Sequence, residues 1–466
     1  MTSDTEIEKQ RALVFSEQPE IRLVSPCKLN EGIIRHSSFE QKKYVMKFLR
    51  SDEEVKFFIP ASGSGSRMFQ FLYDFLENPN EENRSKTEKF LNAIEEFPFF
   101  ELLPYDLKQK VRDYDVNLDE FVAYLLKEDG LNLGALPKGL LPFHRSRSFV
   151  LNAFQEQLLQ GIRIKEQPVK FHFTINGNFE DRILSSLDSI RQLTARHCDI
   201  SCSTQDPSTD AIAFDHEQNV ILKADGSILK RPSGHGALLK NLNAEQGDVI
   251  FIKNIDNIQH ESNAENSIEN LRYLGGLLQE FRESLKTLSS ADDKRNKLKV
   301  LNEEFQFMDR NTDFEKMTEN DIHTLINKPV RVCGMVKNEG QPGGGPFWVE
   351  EKGERSKQIV EKSQIKMKGE QYRLMVQSQY FNPVLMAIST KDLQGNKLDL
   401  NKYADQSKYF IVNKKHEGQP IKFMERPGLW NGSMHYWLSI FVEVPSETFT
   451  PVKTVLDLLD KPHKED

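Results

Sequence analysis

The sequence predicts a mixed α/β fold with a mainly parallel sheet sandwiched by helices, a helical insertion and a β-rich C-terminal part. Two observations lead there. Apolar runs with strand character at 53–59, 169–175 and 248–253 are separated by helix-spaced stretches such as 183–193. Strand-like runs then return in the last third of the chain. Strands alternating with helices favour parallel pairing, because each crossover lays a helix on a face of the sheet.

Taken in order, residues 1–45 mix charges with scattered apolar positions and form an N-terminal extension, and 46–330 hold the α/β core. Val55, Phe57, Phe58 and Ile59 form a buried strand that ends in a Pro/Ser/Gly cluster. After Arg67, the spacing of Met68, Leu72, Phe75 and Leu76 is helical, so the local order is strand, glycine-rich loop, helix. Residues 78–130 are charged and helix-like and read as an insertion. Within it, Asn117 is placed to cap a helix through Leu118, Phe121, Val122, Leu125 and Leu126. A strand at 199–203 leads into the polar turn Gln205-Asp206-Pro207-Ser208-Thr209-Asp210. The charged stretch 267–307 has Ile268, Leu271, Leu274, Leu278 and Phe281 at helical spacing, as in a helical pair or a long connector. In 331–466, strand character at 330–336, 372–376 and 436–444 completes the sheet or adds a small β-rich unit on the acceptor side.

Bulk properties narrow the function. The 466 residues are 38% hydrophobic and 28% charged, as in a globular protein able to bury a core. A formal charge of -8 gives no overall attraction to nucleic acid or an anionic membrane, so neither is an expected partner and phosphate binding must rest on local cations. No apolar run approaches the roughly 20 residues of a membrane span. The polar start lacks the features of a secretory signal, and a cytoplasmic location is expected. Four cysteines are too few for a disulfide framework. His197, Cys198 and Cys202 lack a second ligand pair at finger-like spacing, so buried strand cysteines are favoured over zinc.

The segment Pro60-Ala61-Ser62-Gly63-Ser64-Gly65-Ser66-Arg67-Met68 carries the strongest chemical signal. Small residues after a strand let backbone amides approach phosphate, a following helix adds its dipole, and Arg67 supplies a permanent cation. An ordinary strand-to-helix turn has similar composition. A Walker loop is excluded because no Gly-Lys-Ser/Thr follows, and a Rossmann loop lacks its third glycine.

Pattern and order resemble the glycine-rich signature of the nucleotidyltransferases that make nucleotide sugars, with Ser62 in place of a glycine and Ser66 in place of threonine. Leu136-Pro137-Lys138-Gly139 resembles their Pro-Lys element, displaced here by the insertion. Arg231-Pro232-Ser233-Gly234-His235-Gly236 resembles the Pro-x-Gly-His-Gly element of UDP-sugar pyrophosphorylases, although a buried packing histidine remains open. Asn254-Ile255-Asp256-Asn257 resembles the strand ending in Asp-Asn of UDP-N-acetylhexosamine pyrophosphorylases, against a plain capping Asp. Phe449-Thr450-Pro451-Val452-Lys453-Thr454-Val455-Leu456-Asp457 resembles a UDP-glucose pyrophosphorylase segment whose lysine reaches substrate phosphates. Two more segments, 331–348 and 427–432, are similar to a bacterial domain-of-unknown-function family related to these enzymes. There, Gly343-Gly344-Gly345 forms either a loop over an acceptor, walled by Trp348 or Trp430, or a surface turn beside core aromatics.

The resemblance implies a GT-A-like nucleotidyltransferase fold and a pyrophosphorylase-like reaction. A nucleoside triphosphate, UTP by resemblance, is joined to a phosphorylated acceptor such as a sugar 1-phosphate, with Mg2+ as cofactor. It implies catalytic roles for Arg67, Lys138 and Lys453, nucleotide binding by Ala61, Ser62, Gly63, Ser64, Gly65, Ser66, Gln205, Gly234, His235 and Gly236, and Asp256 as the metal ligand. Two competitors are a non-catalytic nucleotide-sugar binding protein on the same fold and a glycosyltransferase, whose Asp-x-Asp could only be Asp113-Tyr114-Asp115.

Overall fold

The computed structural model describes residues 4–17, 20–194, 198–340 and 343–465; His197 therefore lies outside the described residues. By internal contacts the chain divides into two units, each assembled from three separate segments.

One unit comprises Phe57–Thr204, Lys253–Asn270 and Glu447–Asp466. Its strands Val55–Pro60 (from Phe57 onward), Lys170–Ile175 and Asp199–Thr204 follow one another in that order across a sheet. The last two are parallel, with Lys170 opposite Asp199 and Ile175 opposite Thr204. Alternation along these strands turns aromatic rings to one face, where Phe57 stacks on Phe171 at 5.2 Å and Phe154 meets Phe173 edge-on. The crossover helix Glu180–Thr194 buries Ile183, Leu187 and Ile190, one stripe at helical spacing. Helices Glu81–Asn92, Tyr105–Arg112 and Leu118–Leu126 fill the insertion, and the Asn117 side chain caps the last by accepting from the Glu120 amide.

A buried polar chain also crosses this unit. His144 and Glu156 are wholly enclosed; His144 Nδ1 lies 2.7 Å from Glu156 Oε1, and its Nε2 lies 3.0 Å from His463 Nδ1. Burial drives both imidazoles down to about 3 and pushes Glu156 up to about 8, so neutral forms are favoured throughout.

The other unit comprises Met1–Lys56, Gln205–Ile252 and Leu271–Ser446. Its strand order is Lys28–Leu29, Gly32–Ile34, Leu438–Glu443, Val330–Lys337, Leu385–Ser389 and Val249–Lys253, the last contributing its first four residues. Val330–Lys337 runs parallel to Leu438–Glu443 and antiparallel to Leu385–Ser389, while Leu438–Glu443 runs parallel to Gly32–Ile34. Most residues of these strands are buried, as strands covered on both faces must be. The stretch 267–307 resolves into the helices Glu265–Ser289 and Lys294–Phe305, a pair rather than one long connector.

One strand expectation is corrected. Residues 372–376 lie in the helix Gly369–Val376. Tyr372, Leu374 and Val376 alternate as in a strand, yet Leu374 and Met375 pack together against a core of Leu23, Phe347 and Val349, as adjacent residues on a helix surface can. The Gln371 amide then hydrogen-bonds both backbone groups of Leu23, at 2.7 and 3.0 Å, taking the place of a strand neighbour. The third glycine of Gly343-Gly344-Gly345 opens the strand Gly345–Glu351, which forms a hairpin with Glu354–Val360.

Candidate active site

The glycine-rich loop leaves the strand Val55–Pro60 with the Ala61 amide still donating to Thr174 O at 2.8 Å. Beyond it, the Ser62, Gly63 and Ser64 amides have no partner among the described residues, and Gly63 and Ser64 are exposed. Three adjacent donors are thus left for water or an anion. The loop then folds onto the Pro-Lys element: Ser64 faces Pro137 in an antiparallel bridge, Gly65 N donates to Leu136 O and Lys138 N donates to Gly63 O, both at 3.0 Å. A side chain at Gly65 would place its Cβ 2.9 Å from Leu136 O and 2.6 Å from Leu141 Cδ1, so this approach requires glycine. Ser66 starts a 3-10 turn through Phe69 that passes into the helix Gln70–Glu77. Ser62, half-buried, is accommodated where the sequence departs from the glycine pattern.

Lys138 extends from this junction to Asp256, with Nζ 2.6 Å from Oδ2. Asp256 follows the strand Val249–Lys253 in a turn fixed by the buried Gln157 side chain, which donates to Asn254 O and Ile255 O. Lys453 arrives from the far end of the sequence and donates to the same Oδ2 at 3.0 Å. Its segment is pinned at several points: Val452 N donates to Asp256 O, Thr450 N to Asn257 Oδ1, and Asn257 Nδ2 to Thr448 O. Asp457 closes the next turn by accepting from the Lys453 and Thr454 amides.

The result is one carboxylate held between two ammonium groups beside the loop. Burial alone would raise the Asp256 carboxyl; Lys138 and Lys453 together more than offset it and hold the group below its ordinary value. Lys138 is itself pushed down by burial, with Asp256 opposing the shift. Side-chain exposure separates the two lysines: 14% for Lys138 and 53% for Lys453, so the latter is free to turn toward an incoming anion. Arg67 is exposed and makes no ion pair among the described residues.

The remaining candidate residues belong to the other unit. His235 is half-buried, stacked on Trp430 at 4.0 Å, and its Nδ1 accepts from the Leu429 amide at 2.9 Å. Burial lowers it to about 4, which keeps it neutral. A Cβ at Gly234 would lie 2.5 Å from Glu425 Oε2, and one at Gly236 would lie 2.2 Å from Pro427 O. The space these glycines provide is therefore filled by the chain's own 425–430 segment. Gln205 donates to Asp210 at 3.3 Å. Asp113-Tyr114-Asp115 follows the helix Tyr105–Arg112 and not a strand, with Tyr114 85% exposed, which removes the geometric case for a glycosyltransferase metal motif.

Among the described residues, Glu351, Asp405 and His435 have metal-like spacing. The Lys408 ammonium already lies against Glu351 and 3.9 Å from Asp405, filling the cationic role. Sequence reasoning missed Asn257 as a clamp and Asp457 as a cap; Thr454-x-x-Asp457 is a capping-box pattern that was available to find the second.

The whole chain, residues 1–464, matches the family model described as Domain of unknown function (DUF4301). The chain belongs to this family. No curated protein matches the chain. Across solved structures this family member is similar to a uridine diphosphate N-acetylglucosamine pyrophosphorylase from Trypanosoma brucei, with 12% identity over 93% of this chain and 72% of that one and a TM-score of 0.49. It is also similar to a UDP-glucose phosphorylase from Trypanosoma brucei, with 13% identity over 94% and 69% and a TM-score of 0.41. A variant of UDP-glucose pyrophosphorylase from Leishmania major gives 12% identity over 96% and 70% and a TM-score of 0.42. No helix among the described residues is long and apolar enough to cross a membrane.

Proposed function

We propose that this chain is a pyrophosphorylase-like nucleotidyltransferase, with the glycine-rich loop, Lys138, Asp256 and Lys453 as its phosphate-handling centre. The observation that carries the reading is the convergence of Lys138 and Lys453 on one Asp256 oxygen next to unpaired loop amides. Three well-separated stretches of sequence supply these groups, and a plain capping aspartate needs no such assembly.

In the proposed reaction, an acceptor phosphate oxygen bonds to the α-phosphorus of a nucleoside triphosphate while the bond from that phosphorus to the bridging oxygen breaks. Pyrophosphate leaves with the bonding electrons. No protein nucleophile is required; the chain aligns the two anions and neutralises their charge. The Ser62, Gly63 and Ser64 amides and Arg67 receive the triphosphate, Lys138 steadies the leaving group, and Lys453 turns from Asp256 to the acceptor phosphate. Asp256 holds both ammonium groups in place until the phosphates arrive. Gln205 and the Gly234-His235-Gly236 element carry no role in this reading: the His235 ring is engaged by Trp430 and Leu429, and the space at both glycines is taken by Glu425 and Pro427.

Mg2+ fits Asp256. Both lysines use Oδ2, and Oδ1 has no partner among the described residues. One carboxylate oxygen with substrate phosphates and waters is a usual Mg2+ environment, where the ion supplies charge neutralisation at the phosphates. The deciding experiment incubates the protein with Mg2+, each nucleoside triphosphate and a panel of sugar 1-phosphates while pyrophosphate is followed. Release with one pair supports the reading. Tight binding of a nucleotide sugar without release supports a binding protein instead.

A further inference from the structure

A cavity of about 600 Å³ lies wholly within the unit formed by Met1–Lys56, Gln205–Ile252 and Leu271–Ser446. None of the phosphate-handling residues lines it. Its size is within the roughly 300–1,000 Å³ of small-molecule sites. The helix Lys294–Phe305, the turn after it, the strand Gly345–Glu351 and residues near Gly32 form its walls.

These walls are fixed by hydrogen bonds within the chain. Gln306 adopts the left-handed conformation, φ 48°, and its Oε1 accepts from the Gly32 amide at 2.7 Å. The Asn302 amide binds both backbone groups of Met308, at 2.7 and 3.3 Å. The Trp348 indole N–H donates to Glu31 O at 3.2 Å. Gly32 has φ 106°, and a Cβ there would lie 2.9 Å from the indole nitrogen, so the glycine lets Trp348 close against the backbone. A pre-formed pocket loses little entropy on binding a ligand.

The lining chemistry selects the ligand. Carboxylates outnumber cations, five against three: Glu31, Glu303, Asp309, Asp313 and Glu315 face Lys299, Arg310 and Arg355. Arg310 lies 3.6 Å from Glu31, Arg355 lies 3.8 Å from Asp309 and Lys316 lies 2.9 Å from Asp313, which leaves Glu303 and Glu315 against Lys299, a net negative charge of one. A phosphorylated ligand would meet net repulsion here. Ionised carboxylates only accept hydrogen bonds, so a suitable ligand must present several donors. Trp348, partly exposed, offers a broad apolar surface among these groups. A ligand with an apolar C–H face and a belt of hydroxyl donors, and without phosphate, meets all three requirements.

We propose that this cavity binds an uncharged carbohydrate against Trp348, at a site separate in chemistry from the phosphate-handling centre. The full-length protein is titrated by calorimetry with glucose, N-acetylglucosamine, maltose and chitobiose, and in parallel with glucose 1-phosphate and spermidine. One uncharged sugar binds saturably, and about tenfold more tightly than glucose 1-phosphate in this site. Trp348→Ala weakens that binding about tenfold or more, while Trp348→Phe retains most of it. Glu303→Gln, at an exposed position without a hydrogen-bond partner among the described residues, weakens it several-fold (about 3-fold) and reads the site even if Trp348→Ala fails to fold. Asp256→Asn leaves it unchanged, which separates this site from the proposed catalytic one. The proposal is overturned if no uncharged sugar binds, if binding survives both Trp348→Ala and Glu303→Gln, or if spermidine, or glucose 1-phosphate in a component that Trp348→Ala abolishes, is the preferred ligand.

Discussion

Replacing Asp256 with Asn removes the charge that holds Lys138 and Lys453 while changing the side-chain volume little. The two arms differ in worth. Lys138 is 14% exposed and Asp256 10%, so losing their contact leaves an ammonium without its counterion in a mostly dry place. Breaking a buried pair costs about 3–5 kcal/mol, and the residual exposure places this arm at the low end, about 3 kcal/mol. Lys453 is 53% exposed and can turn to water, so its arm contributes about 0–1 kcal/mol. A double-mutant cycle measures each arm: Asp256→Asn, Lys138→Met, Lys453→Met and the two doubles, by urea unfolding at pH 7. The expected coupling is about 2–3 kcal/mol for Asp256 with Lys138 and under about 1 kcal/mol for Asp256 with Lys453. The pH dependence has a definite sign. The Asp256 carboxyl is held below its ordinary value in the folded chain, so its contribution is complete above about pH 4 and is lost as pH falls through the folded value. A coupling to Lys138 below about 0.5 kcal/mol at pH 7 refutes the assignment of a buried pair at this position.

Gly65→Ala forces a Cβ against a backbone carbonyl and destabilises by about 1–3 kcal/mol, whereas Gly63→Ala, with nothing within 4 Å of the added atom, leaves the melting temperature unchanged. Arg67→Ala, at an exposed residue, lowers nucleoside triphosphate affinity about tenfold in equilibrium dialysis without altering stability. His144 and His463 are favoured neutral in the fold, so their contribution is full above about pH 6.5 and is lost on acidification toward about 3; urea midpoints measured from pH 7 to 4 fall, and fall less in His144→Asn. Glu156 acts in the opposite sense, favouring the fold below about pH 4.5 and losing that contribution as pH rises through about 8, so Glu156→Gln gains relative stability at pH 9.

Local signals in the sequence predicted the elements well. The runs ending at Ile59, Ile175 and Lys253 are strands because apolar continuity with strand length has few alternatives, and Asn117 is a cap because its side chain competes for a free amide. The segment 372–376 misled because five residues satisfy two periodicities, and only contact with the Leu23 region selects the helix. Motif resemblance singled out Lys138, Asp256 and Lys453 individually. Their convergence was not legible along the chain, since separations of 118 and 197 residues carry no local signal. His235 shows the opposite limit. Two flanking glycines announced a close backbone approach, yet sequence could not say that the approaching backbone is that of Pro427.

The route by which Lys453 reaches Asp256 bears on how the protein matures during translation. The loop emerges first, Lys138 next and Asp256 later, and for the following 197 residues the carboxylate can have one of its two partners at most. Domains generally begin folding as they leave the ribosome, so the segment 57–204 has time to form its sheet while the centre is still incomplete. Closing so long a loop is slow but adds little to the equilibrium cost. Any phosphate chemistry performed with Lys453 therefore waits until the last of the three stretches has been made and docked.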